Sequence, residues 1–401
     1  MIVRARTVVT MDGPPIENGA IVTSDKHIAK VGTFDEIKKH CTGEIIDLGE
    51  RILLPGLINA HCHLDYTMLR GKISRPKSFA DWIRAINAEK ENLSADDYVE
   101  SINAGYSEAR QFGTTTIANF TAFPELIARV RPLLRTWWFP ELIDLRDPSQ
   151  SEPLVDRALG SLQHTESWGL APHAPFTASP NLFQRCEQIV RKADALISTH
   201  LAESNEEMQM SLDRRGSLHD FLLSLGVDLF ESDGVTPVEH ILRSAGALDD
   251  RWLLVHLNAL LDRDLELLGA IPDKPQVIHC PRSHAYFGHP PFEFVKLRQS
   301  GFNICLATDS LASNADLSLF EEMRAFQRIH PEIEPREIME MITVRPARAL
   351  RAERSLGRIA DNAYADLIAI DHTKHRDVFE NILAHHGPVS WYMTNGTILA
   401  A

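Results

Sequence analysis

Apolar and polar positions alternate with a period of two over the first fifty or so residues, in short runs broken by turn signals: IVRARTVVTM, then DGPP, then GAIVTS, HIAKVG and EIIDLG. Alternation of this kind predicts strands. Near the other end, SLGRIADNAYADLIAID and the final WYMTNGTILA share the same character, so the two ends are expected to pair into one small β domain. Between Pro55 and about Leu350 the pattern changes to eight apolar strand-like runs separated by amphipathic helical stretches: GLINAH, TTTIANF, RTWWFPELI, WGLAPH, ALISTH, RWLLVH, QVIHC and FNICLATD. Eight βα units in roughly 300 residues predict an α/β fold of the closed (β/α)8 TIM-barrel type, since an open doubly wound sheet of that size normally has fewer strands. The expected organisation is a barrel of residues 56–351 and a small β domain of residues 1–55 and 352–401.

Five of the runs have, at or near their C-terminal ends, a polar residue with chemistry to offer. His61 and His63 close the first run, His173 the fourth, His200 the fifth, His256 the sixth and Asp309 the eighth. Barrel enzymes carry their sites on the rim formed by the C-terminal strand ends, so these side chains should converge. In a strand, residues i and i+2 point the same way, which puts His61 and His63 on one side and Cys62 on the other. An isolated His-x-His is a weak signal in a chain with 18 histidines. Repetition of titratable residues at different strand ends is hard to explain as core packing, and it singles out His61, His63, His200 and Asp309.

With 401 residues, 44% of them hydrophobic, the chain can bury a large core. A formal net charge of −14 argues against a nucleic-acid partner, because phosphate backbones call for clustered Lys and Arg, and leaves a small molecule as the expected one. Five cysteines without a CxxC pair suit free thiols in a reducing compartment, so the expected location is the cytoplasm. The start, MIVRARTVVTMDG, alternates like a strand and lacks the layout of a signal peptide. No apolar run reaches membrane-spanning length, and no membrane partner is expected.

The segments LPGLINAHCHLD, STHLAES, VHLNA, HCPRS and LATDSLASN resemble the amidohydrolase superfamily, in its nucleobase and nucleoside deaminase and chlorohydrolase branch. The resemblance spans nearly the whole chain and implies a (β/α)8 barrel with a β-sandwich built from both termini. It implies that His61, His63, His200 and Asp309 are metal ligands, Glu203 the catalytic acid/base and His256 the residue that orients the bound water. Three neutral imidazoles and a carboxylate suit Zn²⁺, with Fe²⁺ also accepted, and leave a position for a water whose pKa falls from 15.7 to about 7. Glu203, in HLAESNEEM, is expected to move protons between that water, a ring nitrogen and the leaving amine. Its neighbours Glu206 and Glu207 read as solvated acids of a first helical turn.

Binuclear relatives bridge their ions with a carboxylated Lys on the fourth strand, whereas this chain has no Lys between Glu91 and Arg191. One divalent ion per chain is therefore expected. By resemblance, His173 in GLAPHAPFTASP contacts substrate; a packing or capping histidine is the competing reading. Trp82, Glu89 and Glu91 fall where relatives place a lid. Arg282, Ser283 and His284 follow the seventh strand, and Arg282 could pair with an anionic substrate group or bond loop carbonyls.

The resemblance implies hydrolytic deamination of an adenosine-type nucleoside or related aminated heteroaromatic, with adenosine, methylthioadenosine, S-adenosylhomocysteine and 6-amino-6-deoxyfutalosine as candidates. Hydrolysis of a cyclic amide or a chlorinated heteroaromatic would use the same site. A catalytically silent scaffold has no need for a charged cluster that is costly to desolvate. A homodimer is carried by the resemblance alone, and the apolar stretch LHDFLLSLGVDLF reads more readily as packed on the barrel than on a partner.

Overall fold

The computed structural model describes residues 1–401 except 145–146, 228–233, 374–376 and 400–401. All eight barrel runs form parallel strands in chain order: Leu57–His63, Thr114–Thr121, Arg135–Leu142, Gly169–Pro172, Leu196–Leu201, Trp252–His256, Gln276–His279 and Asn303–Leu306. The eighth run breaks after Leu306 and resumes as Asp309–Ser310, which pairs with the first strand through Asp309 beside Cys62 and Ser310 beside His63. That last pairing closes the ring. Ile58, Ala60, Phe120, Phe139, Val255, Ile278 and Cys305 fill the barrel interior. Leu57, Ile117, Leu254, Val277 and Ile304 pack outward in the larger core shared with the helices.

The first strand contains a local irregularity that matters for function. Ala60 belongs to the interior cluster and Cys62 to the outer one, although both have the same parity. The pairing with the second strand shifts register between Asn59 and Cys62, and such a bulge changes the phase of the alternation. Downstream of it, His61 and His63 point into the barrel mouth.

The terminal strands form a second sheet, in the order Thr397–Leu399, Trp391–Thr394, Leu367–Asp371, Arg51–Pro55, Ile2–Val8, Ile16–Ser24, His27–Thr33, with Ile45–Asp47 paired to Ile2–Val8. The two ends of the chain meet where Leu367–Asp371 runs antiparallel to Arg51–Pro55. The chain crosses between the sheets at Gly56, where a Cβ would come within 2.1 Å of Thr115 Oγ1, so no side chain fits. Among the described residues no helix is long and apolar enough to cross a membrane.

Two helices cover the mouth of the barrel. The helix Phe79–Lys90 starts on Ser78, whose hydroxyl accepts from Asp81 N, and it buries Phe79, Ala80 and Ile86. The helix Ser217–Ser224 packs Leu218, Phe221 and Leu222 against Phe79 and Ala80, so the apolar stretch that begins there seats on this cover and not on the barrel wall. Residues 228–230 at the end of that stretch lie outside the described residues.

Candidate active site

The strand ends bring five imidazoles and three carboxylates into one buried cluster. The ring centroids of His61 and His63 are 4.8 Å apart, and those of His61 and His200 5.0 Å. Asp309 Oδ1 lies 3.7 Å from Nε2 of both His61 and His63. Backbone strain marks the same rim: Ala202, His256, Leu257 and Asp309 all have positive φ, a conformation non-glycine residues keep only when their surroundings impose it.

Hydrogen bonds show which atoms are committed and which are free. His200 Nδ1 is 3.0 Å from the His173 carbonyl oxygen, an arrangement that places its proton on Nδ1 and turns Nε2 inward. Asp309 accepts from Ser310 N at 2.7 Å and from the Ser283 and Ser313 hydroxyls at 2.7 and 3.3 Å. Ser283, placed on the rim by sequence, thus holds Asp309. Both ring nitrogens of His61 and Nδ1 of His63 are buried without a hydrogen-bond partner. Three imidazoles whose ligand atoms lie within 4.8 Å of one another, with orphaned nitrogens and an adjacent carboxylate, fit a divalent metal ion.

Charge states agree with that fit. Burial lowers the His61 pKa to about 3 despite the neighbouring Asp309, leaving the neutral imidazole that ligation requires. Asp309 is buried too, which alone would raise it, but His61, 3.7 Å away, and the other imidazoles around it hold it far below the usual carboxylate range. Glu203 goes the other way: burial, and then the charges of Asp309, Glu207 and Glu141, push it well above the ordinary value. Its Oε1 stands 3.6 Å from His256 Nε2.

A cavity of about 410 Å³ opens from this cluster. His63, His200, Glu203, His256 and Asp309 border it at one end, and His173 and Trp82 also line it. His173 is neutral, its pKa lowered to about 3 chiefly by burial, and its Nδ1 lies 2.7 Å from the Thr177 hydroxyl. The Trp82 indole N–H is buried and unpartnered. One face of the helix Phe79–Lys90 supplies Phe79, Trp82, Ile83, Ile86, Asn87 and Lys90 to the cavity wall; Glu89 and Glu91 are not part of it. The far wall is apolar, with Phe176, Phe221, Leu222, Leu225 and Val227.

Other expectations need correcting. Arg282 does not border the cavity: its guanidinium binds Asp316 at 2.6 Å and lies 4.0 Å from Glu322, whose carboxylate accepts from the Arg282 backbone N–H at 2.9 Å. That charge is spent within the fold, where it braces the loop after Asp309. His284 faces the Pro290 carbonyl at 2.7 Å. Glu207 is no solvated acid, since it is 1% exposed and accepts from the Glu203 N–H at 2.7 Å. Glu206 accepts from Phe79 N at 2.6 Å and Ala80 N at 3.3 Å, capping the cover helix from another element. Glu206→Ala should cost that helix start about 0.5–2 kcal/mol and raise KM by up to roughly tenfold at nearly unchanged kcat. Steady-state kinetics check this, and an unaltered KM would remove Glu206 from the account.

Sequence reasoning missed Glu141 altogether. It is the penultimate residue of the third strand and lines the cavity beside His63 and His200, with Oε2 3.5 Å from His63 Nδ1 and Oε1 3.8 Å from His200 Nδ1. The usable signal was its position, a carboxylate at the same rim as the histidines, in a run read only as a strand.

Known proteins are similar to this chain over nearly its whole length. A 5-methylthioadenosine/S-adenosylhomocysteine deaminase of Syntrophobacter fumaroxidans is 29% identical over 382 residues, covering 90% of this chain and 82% of the relative. The Helicobacter pylori aminofutalosine deaminase, solved with methylthio-coformycin, superposes with a TM-score of 0.83 at 22% identity over 100% of both chains. An adenosine deaminase from Xanthomonas campestris with bound zinc gives a TM-score of 0.83 at 21% identity, over 99% of this chain and 92% of that one. Residues 52–398, which span the barrel and the C-terminal strands that pair with the N-terminal ones, match the amidohydrolase family, and the chain belongs to it.

Proposed function

We propose that this chain is a metal-dependent aminohydrolase that removes the exocyclic amine of an adenosine-type nucleoside. The observation that carries this reading is the pairing of Glu203 with His256, 3.6 Å apart, at the metal-fitting end of a cavity of about 410 Å³. That volume lies within the usual range for small-molecule sites. The adenine-nucleoside deaminases among the relatives support it.

His61, His63, His200 and Asp309 would hold a single divalent ion, for which zinc is our choice because a zinc-bound relative shares the fold; iron is compatible with the same donors. When bound, the ion supplies a water that ionises near neutral pH. Glu203 takes the proton of the attacking water and delivers it to the ring nitrogen beside the carbon under attack, then assists departure of the amine as ammonia, while the ring keeps the oxygen. A carboxyl whose pKa is raised by burial is suited to hold a proton between those transfers. His256 would orient the attacking oxygen, and its imidazole is kept neutral by burial.

His173 and Trp82 would hold the substrate along the cavity wall, with neutral imidazole and indole donors directed at the base or sugar. The apolar far wall favours a 5′-substituent of apolar character over the bare hydroxyl of adenosine. Loss of the adenine absorbance, followed for adenosine and for 5′-alkylthio and 5′-aryl analogues, tests both claims. We expect turnover to favour the apolar substituents, and preference for unmodified adenosine would count against that side of the reading. The five free cysteines support a cytoplasmic location.

A further inference from the structure

We infer that Glu141 is a positioning residue for His63, one that fixes the proton on Nδ1 so that Nε2 presents its lone pair to the metal. The inference rests on the proposed metal set but on a different set of atoms. His63 has two faces in the cluster. Its Nε2 lies 3.7 Å from Asp309 Oδ1, on the side where His61 and His200 converge. Its Nδ1 points the opposite way, is buried, and has no hydrogen-bond partner; the acceptor facing it is Glu141 Oε2, at 3.5 Å. A buried imidazole N–H left without an acceptor is costly, and a small closing movement turns this approach into a charge-assisted hydrogen bond.

Two of the other proposed ligands, His200 and Asp309, have anchors that His63 lacks. His200 has its Nδ1 on the His173 carbonyl. Asp309 is fixed by a backbone N–H and two serine hydroxyls. His63 has no such backbone anchor, and its ring otherwise packs against other rings, with His61 edge-on at 4.8 Å, His200 stacked at 5.5 Å and Tyr66 stacked at 5.8 Å. Carboxylates on the far nitrogen of a ligating histidine orient the ring and raise its basicity, and losing one typically costs 10–100-fold in metal affinity.

A competing use of the same carboxylate is a second cation held by Glu141, His173 and His200, whose ligand atoms lie within 4.8 Å of one another. His200 argues against it: its Nδ1 is engaged with the His173 carbonyl and its Nε2 faces the first set. That leaves two donors.

The test is zinc titration of the metal-depleted full-length protein against a competing chelator, in wild type, Glu141→Ala, Glu141→Met and Glu141→Gln, with Co²⁺ substitution read by its visible spectrum. We expect Glu141→Ala and the apolar isostere Glu141→Met to lose about 10–100-fold in zinc affinity and to alter the Co²⁺ spectrum. Glu141→Gln, whose amide oxygen accepts the same hydrogen bond, should recover most of the affinity. Wild-type affinity in Glu141→Met, or a second ion per chain lost with Glu141, would each overturn the assignment. None of these readouts needs a nucleoside substrate, so failure of the deaminase reading would show separately, as metal bound normally without ammonia release.

Discussion

Glu203→Gln is expected to keep the metal and lose on the order of 10²–10⁴ in kcat, the span of general acid–base catalysis. The amide is the same size and can hold the same place beside His256, 3.6 Å away, and the Glu203 backbone remains tied by Glu207 and by Asn258, whose side-chain amide donates to the Glu203 carbonyl at 3.1 Å. What it lacks is a transferable proton. Because the substitution leaves the cavity wall intact, KM should move far less than kcat. Turnover near wild type, with metal content unchanged, would take Glu203 out of the proton path.

Removing a ligand should do more. His61→Ala or Asp309→Ala is expected to abolish metal binding and with it activity, a loss at least as large as that of Glu203→Gln. His61 is the proposed ligand with least else to do, since neither of its ring nitrogens has a protein hydrogen bond. Asp309 sits in a strained backbone conformation beneath three hydrogen-bond donors and closes the barrel against the first strand. Binding to the native state alone stabilises it by about 2.7 kcal/mol at a hundredfold excess over Kd. Wild-type protein should therefore melt higher when zinc is added, whereas the two variants should not respond. A variant that binds one equivalent of zinc and turns over normally would refute the ligand set.

Most of the fold was legible because the signals for it are local. The runs from GLINAH to FNICLATD announce themselves by apolar content and, in most of them, by a histidine or aspartate near the C-terminal end, and the alternation of the terminal segments is visible along them. The phase change in the first strand was not visible, because it depends on pairing with Thr114–Thr121. The break between Leu306 and Asp309 likewise depends on the closing contact with the first strand.

The site was legible to a similar depth and hidden for similar reasons. His61, His63, His200, His256 and Asp309 lie at strand ends, so topology alone gathers them. Glu141 lacks a neighbouring motif and acquires its role only from a histidine on another strand. Glu206 and Glu207 follow the rule for acids in a first helical turn, yet that rule does not say whether the carboxylate meets water, its own turn, or the start of a second helix. Arg282 shows the converse: a cation on the right rim is consumed by Asp316 and Glu322 before it can reach a substrate.

The most direct measurement is ammonia release from adenine nucleosides by the zinc-loaded protein, compared with the same protein stripped of metal. The account predicts stoichiometric ammonia and the corresponding hypoxanthine nucleoside from the loaded protein and neither product from the stripped one. No ammonia from any adenine nucleoside, at one zinc per chain, would contradict it and turn attention to ring or halide hydrolysis.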